Sequence, residues 1–112
     1  MKILVFSDSH GNTDNMVRAV ERERPGTIDA IVHLGDGWRD AETLHRLYPD
    51  IPLEQVPGNC DLGRFEEPER LVLFGGCPML LCHGHTLGVK SSLLRASYEA
   101  RARCAQALLY GH

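Results

Sequence analysis

Ile3-Leu4-Val5-Phe6-Ser7-Asp8-Ser9-His10-Gly11 opens the chain with an apolar run that breaks into a loop carrying a carboxylate and an imidazole two residues apart. Four consecutive apolar residues, β-branched and aromatic among them, read as a strand, and Asp8 and His10 stand where its carboxyl end gives way. The same event recurs at His33-Leu34-Gly35-Asp36-Gly37, Val56-Pro57-Gly58-Asn59-Cys60-Asp61, Leu81-Cys82-His83-Gly84-His85 and Leu109-Tyr110-Gly111-His112. Any one of these is ordinary turn chemistry, because Asp, Asn and Gly favour turns. Together, five apolar segments each deliver an oxygen or nitrogen donor at the same end.

Between these segments the pattern changes to a helical period. A strand over 2–7 is followed by a helix over 13–24, with Met16, Val17 and Val20 on one face, ended by Pro25-Gly26. A buried strand over 28–34, a helix over 39–48 with Ala41, Leu44 and Leu47 aligned, and a strand over 51–56 come next. Residues 70–74 and 78–82 flank Gly75-Gly76-Cys77 as a hairpin. A helix over 91–106 follows, with Leu94, Tyr98 and Ala102 at four-residue spacing and a cap at Ser91-Ser92, and 107–110 is the last strand. Strands alternating with helices imply an α/β layered domain with its site at the carboxyl ends of the strands.

Carboxylate oxygens, an amide oxygen and imidazole nitrogens make a mixed donor set suited to manganese, iron, zinc, cobalt or nickel. Calcium would want more oxygens.

In the order Asp-x-His, Gly-Asp, Gly-Asn-x-Asp, His-Gly-His, Gly-His, the five motifs resemble the calcineurin-like metallophosphoesterase family, and the small YfcE-like phosphodiesterases within it. The resemblance implies a four-layer α/β/β/α sandwich and two divalent ions, manganese foremost. It makes Asp8 and His10 ligands of the first ion, Asp36 the bridge, and Asn59, His83 and His112 the shell of the second. A hydroxide held between the ions would attack the phosphorus of a small phosphate mono- or diester, nucleotide-like substrates included, with no protein nucleophile. Cys60 departs from the wider family's Gly-Asn-His, where the histidine faces the leaving group. A thiol there either donates a proton or is a small packed side chain. Asp61 either orients substrate, braces a ligand histidine or closes the turn. Trp38 and Arg39 read either as substrate-facing or as helix-capping residues, His85 as phosphate-facing or solvated, and His33 as a satisfied buried histidine.

The family's last motif continues to a second histidine belonging to the first metal, followed by further strands. This sequence stops at His112, so residues 1–112 read as one metallophosphoesterase domain missing its C-terminal strands, with a weakened first metal site. The rival expectations are an inactive fragment and a non-catalytic scaffold of the retromer-subunit type that this family includes.

A net charge of −3 over 112 residues gives no electrostatic case for stable nucleic-acid binding. Cysteines at 60, 77, 82 and 104 form no CxxC or zinc spacing, and no stretch of 18 apolar residues occurs. A reduced, cytoplasmic location without membrane contact is the expectation. A shortened sheet leaves an apolar edge, which favours a homodimer.

Overall fold

The computed structural model describes residues 1–61, 66–87 and 92–111. Its first sheet is β1 (Ile3–Phe6), β2 (Ala30–His33) and β3 (Leu53–Gln55), in that order and all parallel. Phe6 lies opposite His33 and His33 opposite Gln55, so the three strands end level and their following loops leave the sheet side by side. The second sheet is β4 (Glu69–Phe74), β5 (Cys77–Cys82) and β6 (Ala107–Tyr110), with β4 antiparallel to β5 and β5 parallel to β6. Gly75 and Gly76 make the two-residue turn between β4 and β5, both at positive φ (57° and 83°), as a type I′ hairpin requires.

Three apolar interfaces bind four layers. On the outer face of the first sheet, α1 (Thr13–Glu23) and α2 (Trp38–Leu47) bring Met16, Val20 and Leu44 onto Ile31, Ile28 and Ile51. Between the sheets, Ala30, Val32 and Leu34 meet Val56, Phe74 and Leu81. On the far face of the second sheet, Ala96 of α3 (Leu94–Ala102) and Leu87 cover Cys82 and Leu108. The order is helices, sheet, sheet, helix. Strand β2 is buried on both faces, which is why Ala30-Ile31-Val32 run apolar without alternation up to the buried His33.

The helix expected over 91–106 is shorter, and its proposed cap at Ser91 lies outside the described residues; Ser92 Oγ accepts the Leu94 N–H at 3.1 Å. Its expected apolar stripe faces outward. Leu94 and Tyr98 are 63% and 64% exposed, while Ala96 is the buried contact. A small residue lets the helix approach the sheet closely, so the large ones at i and i+4 are turned away from it. Leu47 likewise is exposed at the end of α2, and the following Tyr48 packs on the core instead. Leu71 and Leu73 are exposed on β4. Among the described residues no helix is long and apolar enough to cross a membrane.

Candidate metal centre

The loops that follow β1 and β2 are stitched to each other before any side chain is considered. The Asp8 N–H donates to Gly35 O at 2.9 Å and the His10 N–H to Asp36 O at 3.1 Å. Held this way, Asp8, His10 and Asp36 all adopt left-handed backbone, with φ of 55°, 45° and 60°. Such conformations cost a non-glycine residue about 1–3 kcal/mol each, and they persist where the surroundings over-determine them. Here they turn three donor side chains toward one point.

A fourth arrives from the second sheet. His83, fully buried just past the end of β5, places Nε2 3.3 Å from Asp36 Oδ2 and 3.8 Å from Asp8 Oδ1. His10 Nε2 stands 3.9 Å from Asp36 Oδ2 and 3.8 Å from Asp8 Oδ1, on the open side. Donor atoms of Asp8, Asp36 and His83 all lie within 4.8 Å of one another. Asp36 and Asp8 are thus both shared neighbours of the two imidazoles, with the closest approach to Asp36.

The donor set itself tests whether a cation belongs here. His83 Nδ1 lies 2.8 Å from Leu34 O, and a carbonyl can only accept, so that nitrogen carries the proton. In the neutral ring, Nε2 then presents a lone pair to two carboxylate oxygens, themselves acceptors. Acceptors facing acceptors in a buried site are repulsive until a cation lies among them, and a tautomer fixed by a backbone carbonyl is the usual arrangement of a metal-ligating histidine. Burial pushes the Asp36 carboxyl up, but the hydrogen bonds from the Cys60 N–H and thiol, together with the positive charge the neighbouring imidazoles carry whenever they are protonated, outweigh it, and its pKa is held below the ordinary value. The residues fit a divalent ion.

The loop after β3 fixes Asp36. Cys60 N–H donates to Asp36 Oδ1 at 2.7 Å. A side chain at Gly58 would collide with that carboxylate, so the glycine is required by close approach. Asp61 grips the other loop by its backbone. Its Oδ2 accepts the N–H groups of Asp36 and Gly58, each at 2.8 Å, and its Oδ1 those of Gly37 at 3.0 Å and Trp38 at 3.1 Å. Gly37 caps α2 without a side chain of its own, so Asp61 supplies from another loop the acceptor that the helix start needs. Asn59 is exposed on this loop, between the two residues that touch Asp36. Cys60 is also exposed, and local desolvation followed by the charge of Asp36 pushes its thiol up, keeping it protonated.

Trp38 is the first residue of α2, with its N–H on Asp61, and Arg39 is exposed beside it. His85 lies in a 3₁₀ turn, its ring centroid 5.5 Å from that of His83. His112 lies outside the described residues, although Gly111 N–H donates to His83 O at 3.2 Å and so brings the end of β6 to the site. His33 is fully buried and hydrogen-bonded. Sequence reasoning missed Ser9 and Asp40, which join His33 beneath the ligand loops. The signal available was an acidic residue in the first turn of α2, three residues beyond Gly37, but that position is usually solvated.

Two three-stranded sheets between helices, with carboxylates and imidazoles converging at the strands' carboxyl ends, define an α/β sandwich with a group of side chains that could hold a metal ion. The whole chain, residues 1–112, matches the calcineurin-like phosphoesterase superfamily domain, and it belongs to that family. It is 32% identical over 112 residues to the probable metallophosphoesterase YsnB of Bacillus subtilis (strain 168), covering all of this chain and 63% of that protein. Among solved structures, a predicted phosphoesterase from Streptococcus pneumoniae TIGR4 superposes with a TM-score of 0.77 at 29% identity, over 98% of this chain and 60% of that one. Yfce, a phosphoesterase from E. coli, shares the fold with a TM-score of 0.59 at 22% identity, over 77% of this chain and 59% of its own. The chain therefore spans about three-fifths of the length of these relatives.

Proposed function

We propose that this chain carries the metal centre of a phosphoesterase that hydrolyses a small phosphate mono- or diester, nucleotide-like substrates among them. The observation that supports this most is the convergence of Asp8, His10, Asp36 and His83 from both sheets, with the His83 tautomer set so that Nε2 faces the carboxylates. On this reading Asp8 and His10 would hold one divalent ion and Asn59, His83 and His112 a second, with Asp36 shared between them. Manganese is the first candidate, with iron, zinc, cobalt and nickel compatible with the donors. Such ions would polarise the phosphoryl oxygens and make water acidic enough to act at neutral pH.

The chain's own residues would do the rest. Asp36, held by the Cys60 N–H, keeps its charge in place without moving. Asp61 holds the loop that carries Asp36. Cys60, exposed beside that carboxylate, would give a proton to a departing alkoxide. Four cysteines that stay thiols suit a reducing compartment such as the cytoplasm. The exposed Leu71 and Leu73 on β4 favour pairing of two copies along that edge.

The test is manganese-dependent hydrolysis of bis-p-nitrophenyl phosphate, with Asn59→Ala run beside the wild type to exclude a contaminating phosphatase. Activity that the substitution removes supports the reading. Activity equal in both samples, or none, refutes catalysis by this chain and favours the scaffold alternative.

A further inference from the structure

Beneath the two ligand loops lies a hydrogen-bond chain whose polarity is set by a backbone group. Gly35 N–H donates to His33 Nδ1 at 3.2 Å, so that nitrogen must be the bare one and Nε2 must carry the ring's proton. His33 Nε2 therefore donates to Ser9 Oγ at 3.0 Å. Ser9, its acceptor position filled, donates in turn to Asp40 Oδ2 at 2.6 Å. Asp40 Oδ2 also accepts the Gly11 N–H at 2.7 Å, and Thr13 Oγ1 approaches Oδ1 at 3.4 Å. His33 is wholly buried and Asp40 nearly so.

Ser9 stands between Asp8 and His10, and Gly11 follows them, so the chain clamps the first ligand loop between its two left-handed donors and immediately after them. It bears equally on the second loop. A side chain at Gly37 would run into Ser9 Oγ and the His33 ring, so the backbone next to Asp36 rests directly on the same groups. Among the described residues, neither His33 nor Asp40 belongs to the group of donor atoms that Asp8, Asp36 and His83 bring together.

We propose that Ser9, His33 and Asp40 form a positioning relay that presets Asp8 and His10 against Asp36 for metal capture. This rests on the metal-centre reading above. Outer hydrogen-bond partners of metal ligands commonly change affinity by about 10–100-fold when removed. Ser9→Ala and Asp40→Ala each break the relay. Asp40→Asn keeps it, because one amide oxygen can accept from both Ser9 and Gly11 while the amide nitrogen faces Thr13 Oγ1.

The experiment is titration calorimetry of Mn²⁺ into the wild type and the three variants, with circular dichroism of each metal-free protein, and the ¹⁵N shifts of His33 in the wild type. The expected result is folded Ser9→Ala and Asp40→Ala proteins that bind Mn²⁺ at least about tenfold more weakly. Asp40→Asn should stay within about threefold of the wild type, roughly 0.65 kcal/mol, and His33 should be protonated on Nε2 and bare on Nδ1. Wild-type affinity in folded Ser9→Ala and Asp40→Ala overturns the proposal while leaving the metal centre intact. Asp40→Asn as weak as Asp40→Ala overturns it too, by making the charge rather than the hydrogen bonds responsible. A wild type that binds no Mn²⁺ overturns the metal-centre reading and this proposal with it. If the alanine variants fail to fold, the Asp40→Asn affinity and the His33 tautomer still decide, and a proton on Nδ1 overturns the relay.

Discussion

Removing the Asp61 carboxylate should be among the most damaging single changes outside the ligand set. It accepts four backbone N–H groups, from Asp36, Gly37, Trp38 and Gly58, at 2.8–3.1 Å. A hydrogen bond contributes a net of about 0.5–1.5 kcal/mol, and more when the acceptor is charged. These four are only partly buried, so water replaces some of them in Asp61→Ala, and the lost anion at the start of α2 adds a few tenths of a kcal/mol. The expected loss is about 2–4 kcal/mol, or roughly 10 °C in melting temperature. Asp61→Asn should be nearly as severe. Its amide has one oxygen for one pair of donors and would set an NH₂ group against the other pair, donor against donor. Urea denaturation of the metal-free proteins measures the stability, and Mn²⁺ calorimetry measures the consequence for Asp36. A loss below about 1 kcal/mol in Asp61→Ala would refute the reasoning, as would an Asp61→Asn protein indistinguishable from the wild type.

Further expectations follow from the same geometry. Asp36→Ala should abolish Mn²⁺ binding, since both imidazoles and Asp8 meet around that carboxylate; calorimetry showing retained affinity would contradict this. Cys60→Ala should slow phosphodiester hydrolysis while leaving Mn²⁺ affinity near the wild-type value, and a full-rate variant would remove Cys60 from the chemistry. Burial holds the pKa of His33 below its ordinary value, despite the opposing charges of Asp61, Asp40 and Asp8. The unfolded chain therefore binds the proton more readily, so the contribution of neutral His33 is complete above about pH 6.5 and is lost as pH falls toward the lower folded pKa. Metal-free stability should decline over that window, and a folded His33→Gln protein should decline less steeply. Equal slopes would assign the decline to other groups.

Much of this protein was legible in its sequence, for reasons that can be named. Six strands and three helices follow from apolar runs and helical periods, because burial on both faces of β2 and on one face of α1 writes those patterns directly. The candidate donors could be picked out because such chemistry needs particular residue types at strand ends, and the structure brings the His10 and His83 imidazoles within 3.3–3.9 Å of the Asp8 and Asp36 carboxylates. The facing of α3 was not legible. Leu94 and Tyr98 carry the apolar signal, yet Ala96 makes the contact, since a helix's buried side depends on how closely its neighbour approaches. Nor was the support beneath the site, where Asp61 binds four backbone N–H groups and Ser9 reaches across 24 residues of sequence to His33 and 31 to Asp40. Periodicity and donor type are local properties, so sequence alone determined the elements and the ligand chemistry. Hydrogen bonds between loops depend on strands ending level in one sheet, and only the tertiary structure decided which carboxylates would hold a metal's ligands and which would hold the loops that carry them.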